Sequence, residues 1–426
     1  MYSEFQVLDP KLKDAIVEKE KIWLFGILIF GAAFRILSVI FLHHEPASDE
    51  LAYLAMAKNF LDGRGLQDSM GNFAFYNAGY PLLVLIPTSY VFNEVLDGAR
   101  YVNVLLGVVS VHLCYLIARE VGLGVVGRLS SATMYAAYLP TGVYAVYIAK
   151  ETLLTFLMLV LALCVVRLSR GGTLANSFVA AISVTLIALV GNAGLALMAS
   201  LGLALLLGES SGTKRILTAV GIFSLAFVLL LPWLHRNQRV VGSPVLNTNG
   251  GFNLYLGNNP GATGYFVSIA DTPMGATWQQ LRATEGEYGA SENLKNNAIS
   301  WIKNNPAEFL SLTAKKAALF WWPPTHEGEG GGALEKLVRI AWLVQFLVLT
   351  VLCVASLFVV WPDARAKLLL FSMVGAYTGV HMLFYVIYRY REPIIPIVVI
   401  CAAVVLDVIW KNYSNNIRIN GWIKRM

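Results

Sequence analysis

The chain has 426 residues, of which 57% are hydrophobic and only 14% are charged, and its mean hydropathy is +0.62. This balance excludes an ordinary soluble protein and predicts a polytopic membrane protein. The formal net charge of +6 does not require a nucleic-acid partner, because most lysines and arginines lie in short loops between apolar runs. The expected partner is therefore the lipid bilayer, and no nucleic acid is expected.

Apolar runs recur along the whole chain and predict about ten transmembrane helices. The runs are 22–42, 100–118, 126–143, 151–167, 175–191, 194–208, 216–234, 336–361, 367–388 and 394–410. Basic residues flank them in alternate loops, which places 1–21 and 412–426 in the cytoplasm by the positive-inside rule. The expected fold class is an all-α polytopic membrane protein, with a transmembrane module at 22–234 and C-terminal transmembrane helices at 336–411.

Two long segments, 43–99 and 235–335, fall on the opposite, outer side of the membrane in this topology. The first begins with adjacent carboxylates, Asp49 and Glu50, and continues to Leu61 as an amphipathic helix that we expect to lie along the interface. Good capping residues at an ordinary helix N-terminus explain the same acidic pair equally well. The second segment is expected to be a small α or α/β unit.

Unusual charges far along the chain fall on the same outer face. They are Lys150 and Glu151, at the start of the fourth apolar run, and Arg389 and Arg391, before the last run. The two arginines break the positive-inside pattern, and a charge at a membrane that does so is a functional candidate. The alternative is that both side chains extend to phospholipid headgroups.

Within 235–335, the run 236–264 is rich in glycine and asparagine. The amides of Asn253 and Asn258 and the phenol of Tyr255 offer donors and acceptors of the kind that bind a sugar. Tight turns are the alternative, since Asn-Gly and Asn-Pro-Gly are common turn sequences, and the residues alone favour that alternative.

Five motifs in chain order resemble those of the bacterial GT-C glycosyltransferases, multi-pass enzymes related to protein O-mannosyltransferases and to the lipid A aminoarabinose transferase. The motifs are Asp49-Glu50, Gly79-Tyr-Pro-Leu-Leu83, Lys150-Glu-Thr-Leu-Leu154, Asn249-Gly-Gly-Phe-Asn-Leu-Tyr-Leu-Gly-Asn-Asn-Pro260 and Arg389-Tyr-Arg-Glu-Pro393. No single motif is as specific as a Walker A sequence, but together they cover most of the chain and fit the family's topology.

The resemblance implies a GT-C fold and a reaction at the outer face of a bacterial inner membrane. A sugar would move, with inversion, from a polyprenyl-phosphate donor to a hydroxyl of a glycan, glycolipid or protein acceptor. Asp49 would be the general base, Glu151 would orient a substrate, and Arg391 would hold the donor phosphate. A positioned carboxylate and a planar cation suit this chemistry, because a hydroxyl must lose its proton while the leaving phosphate gains charge.

Further substrate contacts are expected from Glu50, Lys150 and Arg389. Relatives often carry an arginine and a proline in the outer loop after the fifth span, whereas this chain has Val190-Gly-Asn-Ala-Gly194. One phosphate contact is therefore absent, or it comes from Lys150 or Arg389.

No cofactor is expected, although a divalent metal remains an alternative. Possible ligands on the outer side are Asp49, Glu50, Glu151, His43, His44 and His326, but they lack a tight ligand spacing. Two other function classes also remain open. A carrier of lipid-linked sugars would show similar spans and charges, yet the sequence has no clear two-half repeat. A non-catalytic assembly subunit would explain the outer segment but not the converging charges.

Overall fold

The computed structural model describes residues 10–323 and 332–423, and over these ranges the chain folds into helices without a β-strand. The α-helices of the first half are α1 (Pro10–Phe41), α2 (Asp49–Leu61), α3 (Ile86–Ser89), α4 (Val95–Glu120), α5 (Val125–Ala136), α6 (Pro140–Val146), α7 (Glu151–Ser169), α8 (Leu174–Val190), α9 (Leu197–Leu206) and α10 (Gly212–Val241). Those of the second half are α11 (Asn249–Gly257), α12 (Trp278–Asn304), α13 (Pro306–Trp321), α14 (Ala333–Ala355), α15 (Ala364–His381) and α16 (Ile395–Ile423). Shorter segments are the π-helix Pro81–Leu85 and the 3₁₀ helices Asn192–Ala196, Ile269–Asp271 and Tyr388–Ile394.

Six helices of the described chain are long and apolar enough to cross a membrane, which makes this a multi-pass membrane protein. They are Glu18–Phe41, Val95–Glu120, Glu151–Ser169, Gly212–Val241, Glu335–Ala355 and Tyr388–Asn415. Two shorter apolar helices are Leu174–Val190 and Asn192–Leu206. The expected total of about ten spans stays a prediction.

The apolar run 126–143 is not a continuous helix. The chain breaks between α5 and α6 just before Pro140, whose ring lacks the N–H that a helix interior needs. The freed backbone groups find their partner on α14, where Gln345 accepts from the N–H of Leu139 at 3.0 Å and donates to the carbonyl of Ala137 at 2.7 Å. A neighbouring helix thus provides hydrogen-bond partners for the backbone groups at the break, as an apolar environment requires.

Helices α7 and α16 form the buried centre of the bundle, whereas α1, α10 and α14 lie at its periphery. α7 packs against α4, α8 and α9, and α16 packs against α5 and α14. Large apolar side chains on the peripheral helices are exposed, among them Trp23, Phe227 and Val351. Exposed apolar side chains are expected where a helix faces lipid rather than water.

The segment between α10 and α14 is helical in its described part and has a small core of its own. That core consists of Tyr255, Trp278, Ala290, Leu294 and Ala298. α13 packs against α15, and Tyr265 forms an isolated β-bridge with Val386 beyond it. The segment therefore sits at the end of the bundle where α2 and α7 begin and α15 ends, which we call the site end.

Candidate active site

The N-terminus of α2 holds two adjacent carboxylates in different surroundings. Asp49 is half-buried and pairs with Arg389, whereas Glu50 is only 5% exposed. The preceding residue, Ser48, has a φ of 51°, and it is the only residue other than glycine with positive φ in the described chain. Such a conformation is rare for non-glycine residues and often marks a functional site.

Glu50 fastens the start of α2 to the connection between α6 and α7. Its Oε1 accepts from the Ile148 N–H at 2.7 Å, and its Oε2 accepts from the Ala47 N–H at 3.1 Å and lies 2.6 Å from Nε2 of His44. Both carboxylate oxygens are therefore engaged inside the protein. The substrate contact expected for Glu50 stays a prediction.

Arg389 joins the carboxylates of Asp49 and Glu151. Its Nη2 forms a short ion pair with Oδ2 of Asp49, and its Nε lies 3.7 Å from Oε1 of Glu151. Glu151 is the first residue of α7, where the helix dipole favours a negative charge, and it is 4% exposed. The guanidinium between them offsets the repulsion and the desolvation of the two carboxylates.

Lys150 adds a second cation to this cluster. It immediately precedes α7, and its side chain is half-buried. Burial lowers the pKa of the Lys150 ammonium, while the nearby carboxylates of Glu151 and Asp49 act in the opposite direction. The charges of the two cations and the two carboxylates cancel. An anion that binds here must therefore compete with the carboxylates for the cations.

A cavity of about 250 Å³ opens beside the cluster. Lys150, Glu151 and Arg389 line its charged end, while Asp49 is behind Arg389 and does not line the cavity itself. The remaining polar lining consists mainly of amide and aromatic side chains, among them Asn77, Asn192, Asn247, Asn249, Asn253, Tyr377, His381, Tyr385 and Tyr390. The space therefore joins a charged group suited to a phosphate with a neutral region rich in hydrogen-bonding groups.

Arg391 does not reach this cavity. It is 1% exposed, and its Nη1 donates to the carbonyls of Phe320 at 3.1 Å and Trp322 at 2.6 Å. Its guanidinium carbon lies 3.9 Å from the ring centroid of Phe346. Arg391 therefore lies on a different side of the segment from Arg389, since a 3₁₀ turn directs side chains two residues apart to different sides, and its expected role as phosphate holder stays a prediction.

The three residues that the asparagine-rich run predicts as sugar contacts lie in different surroundings. Asn253 lines the cavity, whereas Tyr255 lies in the small core between α11 and α12. Asn258 is fully buried; its Nδ2 donates to the Leu383 carbonyl at 2.7 Å, and its Oδ1 accepts from Nζ of Lys316 at 3.1 Å. Tyr255 and Asn258 therefore hold α11 in place, and their buried position leaves only Asn253 facing the cavity.

The residues considered as metal ligands are not arranged as a metal centre. The described part of the chain contains no group of three or more His, Cys, Asp or Glu side chains that could hold a metal ion. Arg389 already bridges Asp49 and Glu151, and His44 pairs with Glu50. His326 lies outside the described residues. The absence of a metal and of any other cofactor therefore stays a prediction.

Several cavity residues escaped the sequence analysis, notably Asn77, Asn247 and His381. Asn192 was visible only as part of the loop that departs from the family pattern. Asn77 lies two residues before Gly79, the first residue of the Gly79-Tyr-Pro motif, and this proximity is a signal for it in the sequence. His381 ends α15 and has no motif around it, and only the fold brings it to the site.

No protein-family model matches the sequence, and no curated protein matches it. Solved structures do match its fold. One is the oligosaccharyltransferase AglB from Archaeoglobus fulgidus in complex with an inhibitory peptide and a dolichol-phosphate, with a TM-score of 0.53 and 13% identity over 94% of this chain and 52% of that chain. Another is the oligosaccharyltransferase from the same archaeon tethered to an acceptor peptide with the NVT sequon, with a TM-score of 0.54 and 14% identity over 92% of this chain and 50% of that chain.

The chain thus spans about half the length of these structures. ArnT from Cupriavidus metallidurans bound to undecaprenyl phosphate is a more distant match, with a TM-score of 0.47 and 11% identity over 90% of this chain and 78% of that chain. At such identities, the likeness to the archaeal enzyme establishes the fold. The chain has the GT-C fold, as its motifs predicted.

Proposed function

We propose that this chain is a membrane glycosyltransferase that moves a sugar from a polyprenyl-phosphate donor to an acceptor hydroxyl on a glycan, glycolipid or protein. The observation that carries the proposal is the meeting of Asp49, Glu151, Arg389 and Lys150 beside a polar cavity, in a bundle with the GT-C fold. AglB, which shares this fold, was solved with a dolichol-phosphate, and this supports a lipid phosphate as the carrier of the sugar.

In the proposed reaction, Asp49 takes the proton from the acceptor hydroxyl as the hydroxyl oxygen attacks the anomeric carbon. The bond from that carbon to the donor phosphate oxygen breaks, and the lipid phosphate leaves with the electron pair. A single displacement inverts the anomeric centre and needs one base but no covalent sugar intermediate. Glu151, which shares Arg389 with Asp49, orients a substrate hydroxyl.

Arg389 and Lys150 hold the donor phosphate in this proposal, and Arg389 takes the role expected for Arg391. The leaving phosphate gains negative charge as the bond breaks, so cations beside it stabilise the transition state more than the ground state. Arg389 is paired with Asp49. A phosphate that draws the guanidinium away therefore frees the Asp49 carboxylate to act as a base, so the donor binds before the acceptor is activated.

The site end faces the outside of a bacterial inner membrane in this proposal, and the alternation of basic loops supports that orientation. Cysteine labelling in a cysteine-free background tests it. Met70→Cys and Thr263→Cys place thiols at exposed positions of the site end, and Thr213→Cys places one at the opposite end. An impermeant maleimide should label the first two in intact spheroplasts and Thr213→Cys only after lysis. The reverse pattern would put the site in the cytoplasm.

The function itself is tested with purified protein and a panel of polyprenyl-phosphate sugars combined with candidate acceptors. We expect release of polyprenyl phosphate and formation of a glycosylated acceptor with at least one pair. Movement of intact donor across a vesicle membrane, without release of polyprenyl phosphate, would indicate a carrier instead.

A further inference from the structure

The neutral part of the cavity is built from five asparagine side chains, which we call the amide end: Asn77, Asn192, Asn247, Asn249 and Asn253. They come from distant parts of the chain, since Asn77 precedes the π-helix, Asn192 begins a 3₁₀ helix, Asn247 follows α10 and the other two lie on α11. The charged lining residues, Lys150, Glu151 and Arg389, belong to the cluster that we propose binds the phosphate. The amide end itself carries no charge.

Internal hydrogen bonds fix how these amides face the cavity. Nδ2 of Asn247 donates to Oδ1 of Asn77 at 3.1 Å, and Nδ2 of Asn77 donates to Oδ1 of Asn192 at 2.8 Å. Asn192 is therefore left with donor hydrogens on its Nδ2, and Asn247 is left with its Oδ1 as an acceptor. The chain of amides presents a donor at one end and an acceptor at the other.

Bonds to the aromatic wall leave a further donor and a further acceptor. Tyr385 donates its hydroxyl hydrogen to Oδ1 of Asn253 at 3.3 Å, which leaves the Nδ2 of Asn253 as a donor. Nδ1 of His381 donates to the carbonyl of Tyr377 at 2.8 Å, because a carbonyl can only accept, so Nε2 of His381 is an acceptor. The neutral region thus offers both donors and acceptors, as sugar hydroxyls require, since each hydroxyl both donates and accepts.

We propose that the amide end binds one uncharged, hydroxyl-rich sugar ring, the sugar of the polyprenyl-phosphate donor in the proposed function on which this inference rests. A charged substituent on the ring would lose its hydration here without an opposite charge to pair with. The cavity of about 250 Å³ is also smaller than the roughly 300–1,000 Å³ of sites for drug-sized ligands. The enclosed space matches a single ring.

A binding experiment without acceptor tests the inference, so that turnover plays no part. The full-length protein in lipid nanodiscs is titrated with polyprenyl phosphate alone and with polyprenyl-phosphate glucose, galactose and mannose. Each sugar is matched with its 6-amino and 6-carboxylate forms and with one disaccharide donor. We expect at least one neutral monosaccharide donor to bind about tenfold or more tighter than its charged forms and than the disaccharide donor, a difference of about 1.4 kcal/mol.

Asn192→Asp is the decisive variant, because its carboxylate oxygen still accepts from Asn77 while the other oxygen replaces the free amide donor with a charge. We expect it to shift the preference toward the amino sugar by about tenfold, since charge-assisted hydrogen bonds are about twice as strong as neutral ones. Asn296→Asp makes the same chemical change at an exposed position of α12 and should leave the preference unchanged.

Two results would overturn the inference. One is that no neutral sugar binds better than its charged forms, and the other is that Asn192→Asp leaves the preference as it was, as a purely structural amide network predicts. The arm with polyprenyl phosphate alone separates this failure from failure of the proposed function. If the bare lipid phosphate binds and Arg389→Ala abolishes that binding, only the inference about the sugar falls.

Discussion

The 3₁₀ segment Tyr388–Ile394 presents two arginines to two different regions of the molecule. Arg389 is 31% exposed and joins Asp49 and Glu151 at the charged end of the cavity, whereas Arg391 is buried and donates to backbone carbonyls at the end of α13. One arginine is available to a ligand, and the other holds two parts of the protein together. Residues that look equivalent in the sequence therefore have separate tasks, and burial with fixed partners distinguishes them.

The acidic pair at the start of α2 divides in the same way. Among the described residues, Asp49 pairs with Arg389 and contacts its neighbour Ser48, while both oxygens of Glu50 have partners within the protein. In each doublet, one member forms an ion pair in the charged cluster, and the other is buried and bonded to backbone groups elsewhere in the protein. Substituting the two members of a pair one at a time tests whether they differ in function.

The largest effect is expected for the acidic pair. Asp49→Asn removes the proposed base but keeps the shape and an acceptor, so kcat should fall by about 10²–10⁴-fold while the donor still binds. Glu50→Gln should keep most of its turnover but lower the melting temperature, because an amide cannot accept all the hydrogen bonds of the carboxylate. Each buried group left without its partner lowers the free energy of unfolding by about 1–3 kcal/mol. Steady-state kinetics and thermal unfolding in detergent check both. Equal loss of turnover in the two variants would contradict the distinction between a catalytic Asp49 and a structural Glu50.

A smaller effect is expected at Glu151. Glu151→Gln keeps an oxygen that can orient a substrate hydroxyl but loses the charge that faces Arg389, so kcat/KM should fall by about tenfold, or about 1.4 kcal/mol. Thr155, one turn along α7, offers a matched control, since its hydroxyl donates to the carbonyl of Glu151 within the same helix. Thr155→Val should leave kcat/KM nearly unchanged. A loss at Glu151 as large as that at Asp49 would make Glu151 the base.

A further effect, on stability rather than turnover, concerns a lysine doublet away from the cavity. Lys315 is exposed, whereas Lys316 is fully buried against Asn258, and burial lowers the pKa of Lys316 to about 8. Between pH 8 and the ordinary lysine value of about 10.4, the unfolded chain binds more protons than the folded one, so stability should rise with pH across this window. The rise is at most about 3 kcal/mol.

Thermal unfolding at a series of pH values measures this rise. Lys316→Met should abolish it, because no titrating group is then left at that position, and Lys315→Met should retain it. A rise that survives in Lys316→Met would mean that another group causes it.

Much of the fold was predictable because the local sequence determines the helices, through long apolar runs and a clear helix start. The helix from Asp49 to Leu61 is one example, and the alternation of basic loops already grouped Asp49, Glu151 and Arg389 on one face. The orientation of Arg391 was not predictable, since it depends on the 3₁₀ geometry of its segment and on α13, which is distant in the chain.

The amide end could not be predicted from the sequence for a related reason. Asn77, Asn192 and Asn247 lie far apart in the sequence, and each alone fits a turn or a helix contact. Their hydrogen bonds to one another exist only in the folded chain. Conversely, Tyr255 and Asn258 lie in a run whose composition suits a sugar, yet the packing of α11 buries both.

The arginine doublet gives the most direct test of the central claim that the cavity face of the segment Tyr388–Ile394 is the catalytic face. Arg389→Lys and Arg391→Lys are compared by release of polyprenyl phosphate under the conditions in which the wild type turns over. Arg389→Lys keeps the charge but loses the planar fork, so kcat should fall about tenfold or more with the fold intact. Arg391→Lys should keep its kcat and lose thermal stability. Full activity of Arg389→Lys together with an inactive but normally folded Arg391→Lys would contradict the account.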